Sequence, residues 1–148
     1  MIYIGIDPGL RGGWAIMWDD GSVEVHPWDD KQFIVSMEEI WRDGIDCRCA
    51  LEKVGAMPKQ GLSSTFKFGE EYGMIQGVLK ALRIPYQTVP PQTWKKEFSL
   101  LHQDKSKSIE TAQRLFPGVN FLPTERSRKP SDGMCESALL MEFARRKL

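Results

Sequence analysis

The first nine residues constrain this chain more than any other segment. Ile2-Tyr3-Ile4-Gly5-Ile6 is a β-branched and aromatic run that ends on Asp7-Pro8-Gly9. A run of this kind, stopped at once by Pro and Gly, predicts a buried strand entering a forced turn. The Asp7 carboxylate then sits where the strand leaves the sheet. A charge in that place is tolerated if it faces a crevice and finds a cation or hydrogen-bond donors. Taken alone, Asp7 could equally close an Asx-type turn with its own backbone. What decides between the two is whether other acids reach the same edge.

The rest of the chain alternates. Gly12-Gly13 opens Trp14 to Trp18 as a second strand, and Asp19-Asp20-Gly21 is a hairpin signal leading to Val23-Glu24-Val25, so the first three strands are expected to be antiparallel. Phe33, Ile34, Met37, Ile40 and Trp41 recur at helical spacing over 31–42. Cys47 to Val54 reads as a buried strand carrying Glu52 at its far end. The polar segment Gly55 to Thr65 reads as a loop, with Ser63, Ser64 or Thr65 capping a helix from about Phe66 to Arg83. Ile84 to Val89 is another short strand, broken by Pro90-Pro91. A helix over about 104–115 stops at Phe116-Pro117-Gly118, and a last one runs from about Ser131 to Arg146.

Against this layout the acids can be compared. If the strands ending at Asp7 and Glu52 are parallel neighbours, both carboxylates emerge at one edge. Ser131 is a credible N-cap, which puts Asp132 in the first turn of the last helix, where the helix dipole favours an acid in any case. Glu136 has no such reason. It lies four residues on, next to the apolar side of the helix, and like charges at that spacing repel unless something divalent sits between them. Four carboxylates without a His/Cys set make a hard-oxygen site suited to Mg2+, with Mn2+ able to substitute. The chemistry that uses two such ions is phosphodiester hydrolysis.

Composition permits this reading. At 148 residues the chain is expected to be one domain spanning 1–148, and 41% apolar with 27% charged residues is ordinary for a globular protein. Net charge is zero, but residues 1–90 hold nine Lys/Arg against thirteen Asp/Glu, whereas 91–148 hold eleven against seven. An acidic half followed by a basic one is compatible with a metal site serving a polyanion. Cys47, Cys49 and Cys135 are odd in number and lack zinc spacing, so neither a disulfide framework nor structural zinc is expected, and Cys47 and Cys49, alternating along a strand, are expected as buried thiols. No apolar run approaches a membrane span and no signal-peptide pattern opens the chain, so a cytoplasmic protein is expected.

The ordered motifs Gly5-Ile6-Asp7-Pro8-Gly9, Leu51-Glu52-Lys53-Val54, Lys67-Phe68-Gly69 through Gln76-Gly77, Val89-Pro90-Pro91-Gln92-Thr93-Trp94-Lys95-Lys96 and Asp132-Gly133-Met134-Cys135-Glu136-Ser137-Ala138 carry a resemblance across nearly the whole chain. It resembles the RuvC-like Holliday-junction resolvases of the ribonuclease H-like superfamily, most closely the short bacteriophage versions. The resemblance implies an α/β fold: a five-stranded mixed sheet, its first three strands antiparallel, with helices on both faces. It implies Asp7, Glu52, Asp132 and Glu136 as metal-binding carboxylates, and a magnesium-dependent endonuclease acting on four-way junctions. Three-way junctions, flaps and forks are further possible substrates, and for a phage-encoded protein the compartment is the bacterial host's cytoplasm. Two departures are visible. The last acid is Glu136 where the bacterial enzymes usually have Asp, at a spacing of four rather than three, and the 55–65 loop is longer.

The resemblance further implies that Lys105, and Lys95 or Lys96, approach the scissile or flanking phosphates. As free-standing residues these and Lys107 would be ordinary solvated lysines. Lys53, Lys59, Lys67, Arg126, Arg128 and Lys129 are candidates for backbone contact, and Phe66, or else Met57 or Leu62, for insertion against an unstacked base. Symmetric cutting implies a homodimer. Gly69, Gly73 and Gly77 form a small-residue face that could meet either a second subunit or the sheet. Two other classes compete: a module that binds branched nucleic acid without cutting, and a sugar-kinase or actin-like ATPase. The first has no need of four acids near phosphates, and the second needs two domains and phosphate loops that the chain lacks.

Overall fold

The structure, a computed structural model, describes residues 1–148. Its strands are β1 (Ile2–Asp7), β2 (Gly13–Met17), β3 (Val23–Pro27), β4 (Cys47–Glu52) and β5 (Tyr86–Val89). They form one sheet in the order β3-β2-β1-β4-β5. β1, β2 and β3 are antiparallel hairpin neighbours, and β1, β4 and β5 run parallel. This is the expected mixed sheet. The parallel half is what brings the strand ends at Asp7 and Glu52 to one edge.

The side-chain period of two sorts the strands onto two cores. Ile2, Ile4 and Ile6 of β1 and Cys47, Cys49 and Leu51 of β4 face α1 (Asp30–Arg42) and α2 (Leu62–Ala81), meeting Phe33, Met37, Ile40, Ile75 and Leu79. On the opposite face Ala15 and Ala50 meet α5 (Asp132–Lys147), together with Trp94 of α3 (Pro91–Glu97) and Ala112 of α4 (Lys105–Leu115). By the same alternation Gly5, Asp7 and Glu52 belong to the α5 side. All three cysteines are buried and free, Cys47 and Cys49 as expected. No helix is long and apolar enough to cross a membrane.

Helix α5 packs along β1, β2 and β4 and against α4, with eleven buried residues. Its approach to β1 is closest at Gly5, where an added Cβ would overlap the Ser137 carbonyl oxygen and the Met141 amide nitrogen. Gly133, in the first turn, lies as closely against the Arg11 carbonyl. Ser131 caps the helix, its side chain accepting from the Met134 amide at 3.2 Å.

Three expectations need correction. Helix α2 begins at Leu62, and Ser63, Ser64 and Thr65 lie inside its first turn; its N-cap is Gly61, which makes no side-chain cap. Serines favour caps, but nothing in their composition forbids the first helical turn. Pro90-Pro91 ends β5 and also starts a helix, α3, with proline at its first positions, where a missing N–H costs nothing. β4 stops at Glu52 rather than Val54.

The glycines of α2 lie on an exposed face, with nothing within 4 Å of a Cβ built at Gly69, Gly73 or Gly77, so that face does not meet the sheet. Gly5→Ala should therefore destabilise by about 3 kcal/mol or more, by forcing α5 off the sheet. Gly73→Ala, in open space within a helix, should stabilise by up to about 1 kcal/mol. Urea unfolding measures both, and equal effects would contradict the close approach at Gly5.

Candidate active site

Three of the four expected acids converge. Asp7 ends β1, Glu52 ends β4 one residue beyond the Ile6–Leu51 pair, and Glu136 projects from the second turn of α5. One carboxylate oxygen from each lies within 4.8 Å of the other two. Asp7 is only 8% exposed, and Glu52 and Glu136 are half-buried. The crowding has the expected electrostatic cost. Burial pushes the Asp7 carboxyl well above the usual carboxylate range, and Glu52, Glu136 and Asp132 push the same way, with Lys105 opposing. Burial, aided by Glu52 and Asp132, raises Glu136 to about 7 despite Lys95 and Lys105. Glu52 is raised by burial against the opposing pull of a Trp94 hydrogen bond and of Lys95.

Asp132 stands apart from this trio. It is one helical turn nearer the N-terminus of α5, and its Oδ2 pairs with Lys105 Nζ at 2.6 Å. Burial would raise its pKa, but the Lys105 hydrogen bond and charge prevail and hold it below the usual range. Lys105 is itself 78% exposed at the first position of α4, so the pair bridges the acid cluster and solvent. The four acids thus form a three-plus-one arrangement, with Asp132 beside the trio.

The donor set is all carboxylate, buried on one side and open at the sheet edge, which fits a hard divalent cation. Asp7, Glu52 and Glu136 are the residues that could hold it, with Asp132 adjacent.

The basic candidates divide. Lys95 is half-buried, its Nζ 5.5 Å from the centre of the Trp94 ring and close enough to lower the pKa of Glu52 and Glu136. Lys53, Lys59, Lys67, Lys96, Lys107, Arg126, Arg128 and Lys129 are exposed, Lys107 pairing only with Glu110 on its own helix at 3.3 Å. Lys67 lines an open groove of about 840 Å³ between the β1–β2 turn and α2, shared with Leu10, Arg11, Gln60, Ser63 and Phe68. Phe66 is 70% exposed, while Phe68 packs on Gly9, so of the two rings Phe66 is the free one.

Two residues in this neighbourhood escaped the sequence reading. Arg11 sits in the β1–β2 turn facing Lys67 across the groove, and its only sequence signal is its closeness to Asp7. Trp94, fully buried, donates from Nε1 to Glu52 Oε2 at 2.8 Å, a contact 42 residues apart that no local pattern encodes.

A mixed sheet in the order β3-β2-β1-β4-β5, with acids gathered where the two central parallel strands end, defines a ribonuclease H-like α/β fold of the RuvC type. Among solved structures the chain is similar to Thermus thermophilus RuvC, at 16% identity and a TM-score of 0.57 over 99% of this chain and 96% of that one. It is also similar to T. thermophilus RuvC in complex with Holliday junction substrate, at 12% identity and 0.59 over 99% and 97%. The yeast mitochondrial Holliday junction resolvase Ydc2 follows at 13% and 0.50 over 98% and 83%. These likenesses establish the shared fold across the whole chain. No protein-family model and no curated protein matches the sequence.

The raised Glu136 carboxyl has a thermodynamic consequence. An acid whose folded pKa lies above its unfolded value contributes stability below about pH 4.5, and this is lost as pH rises to about 7. In metal-free buffer Glu136→Gln should therefore be more stable than the parent at pH 8, by at most on the order of 3 kcal/mol, with the gap closing at pH 5. Urea unfolding in chelator at both pH values reads this directly. A difference independent of pH would make Glu136 an ordinary solvated helix residue.

Proposed function

We propose that this protein is a divalent-metal-dependent endonuclease that hydrolyses phosphodiester bonds in branched DNA, four-way junctions included, as a homodimer. The observation that carries the reading is the convergence of Asp7, Glu52 and Glu136 at the end of the parallel strands, on the fold of a protein solved with a Holliday junction. A protein that only bound DNA would gain nothing from burying three mutually repelling carboxylates beside the phosphates.

Asp7, Glu52, Glu136 and Asp132 would hold Mg2+ or Mn2+, which supplies Lewis-acid polarisation of the phosphate and activation of water. The remaining work belongs to the chain. Lys105 offers an exposed ammonium beside the acids, already held by Asp132, and can turn to a phosphate oxygen. Lys95 places a second cation at the inner edge of the cluster. Water adds to phosphorus as one P–O ester bond breaks, leaving a phosphate on one end and a hydroxyl on the other. Lys53, Lys59, Lys96, Lys107, Arg126, Arg128 and Lys129 supply exposed positive charge for the DNA backbone, Lys67 does so from the wall of the α2 groove, and exposed Phe66 would meet an unstacked base. Paired cuts on a symmetric junction call for two such sites related by a two-fold axis, and the open glycine face of α2 is available to a second copy.

Glu52→Gln removes a ligand oxygen while preserving volume, so labelled four-way junctions should still be bound but no longer cut in magnesium. Full cleavage would take Glu52 out of the site, and a parent that binds junctions but never cuts them with magnesium or manganese would favour the binding module. Junction affinity should fall steeply with salt, and Lys95→Ala/Lys96→Ala should weaken it while making the log–log salt slope shallower by about 1 to 2. A salt-independent affinity would point to a different partner.

A further inference from the structure

We infer that Trp94 is a positioning residue for the acid cluster, its indole N–H orienting the Glu52 carboxylate for metal binding. The inference rests on the nuclease reading above and concerns how that site is held. Glu52 is paired in the sheet with Val89, the last residue of β5. Pro90-Pro91 turns the chain straight into α3, so Trp94 arrives beside the end of β4 within one helical turn. There its Nε1 donates to Glu52 Oε2 at 2.8 Å, leaving Oε1 free of this bond.

The pairing is more than the need of a buried donor. The indole N–H groups of Trp14 and Trp18 are buried in this protein without any partner, so the fold tolerates an unsatisfied indole. That of Trp94 is instead spent on one of the three converging carboxylates, as a charge-assisted hydrogen bond from a ring that packing immobilises. The face of the same ring carries Lys95 Nζ, 5.5 Å from its centre. One rigid side chain therefore sets both an acid and the cation that neighbours it. Hydrogen-bond partners standing behind metal ligands are generally worth 10- to 100-fold in metal affinity or activity.

The test is calorimetric titration of the DNA-free protein with Mn2+, well below its melting transition, on the parent and on two replacements at position 94. Trp94→Phe keeps a buried ring without the N–H. Site-specific 3-benzothienyl-alanine keeps the bicyclic shape, with sulfur in place of the N–H, and serves if the Phe variant does not fold. Manganese affinity should fall by about tenfold or more in either. Affinity within twofold of the parent in the benzothienyl protein, whatever its melting temperature, would reduce Trp94 to a core residue and overturn the inference alone. A parent that takes up no manganese would overturn the metal reading and this inference together.

Discussion

Helix α5 lies directly on β1 because residue 5 has no side chain, and the arrangement of the site follows from that contact. With Gly5 beneath Ser137 and Met141, and Gly133 against the Arg11 carbonyl, the first turns of α5 cross the end of the central strand at backbone distance. Glu136, one residue before Ser137, is thereby carried over Asp7. A helix standing a normal side-chain layer away would leave these two carboxylates too far apart to share anything smaller than a water cluster. Close packing at two glycines is thus converted into close spacing of two charges.

That spacing opposes folding when nothing positive is present. Burial raises Asp7, Glu52 and Glu136, and for Asp7 and Glu136 repulsion by neighbouring acids adds to it. The protein offsets part of the cost with its own groups, each differently placed. Trp94 holds one oxygen of Glu52 from behind, Lys95 lies alongside, and Lys105 pairs with Asp132 from the solvent side. The two lysines differ in setting: Lys95 is half-buried against a ring, whereas Lys105 is exposed and paired with Asp132.

Around the cluster the side chains are of mixed charge. Lys95 of α3 and Lys105 of α4 stand beside the acids, and the β1–β2 turn and α2 enclose a groove lined by Arg11 and Lys67 together with Glu70 and Glu71, with Leu10, Leu62 and Phe66 exposed. Charge counted over the whole chain is zero and most of its acids are exposed like its bases, so what distinguishes this edge is the gathering of Asp7, Glu52, Asp132 and Glu136 there.

Much of this was legible in the sequence, for a physical reason: period-two and period-3.6 burial, turn residues and helix caps are local. The apolar runs of β1 and β4 placed Asp7 and Glu52 at strand ends, Ser131 marked the start of α5, and the i, i+4 relation put Asp132 and Glu136 on one side of a helix. Which acids touch was not local. The sequence grouped all four carboxylates as ligands, whereas the packing of α5 on β1 draws in Glu136 and the start of α4 pairs Asp132 with Lys105. Helix α3 was hidden because Pro90-Pro91 reads as a break, and the Trp94–Glu52 bond because its partners lie on different elements that only the parallel pairing of β4 with β5 makes neighbours. Residue types and their alternation were enough to determine which side chains could do chemistry at this edge; the distances between them were decided by how closely helices can approach strands, which is a property of the packed tertiary structure alone.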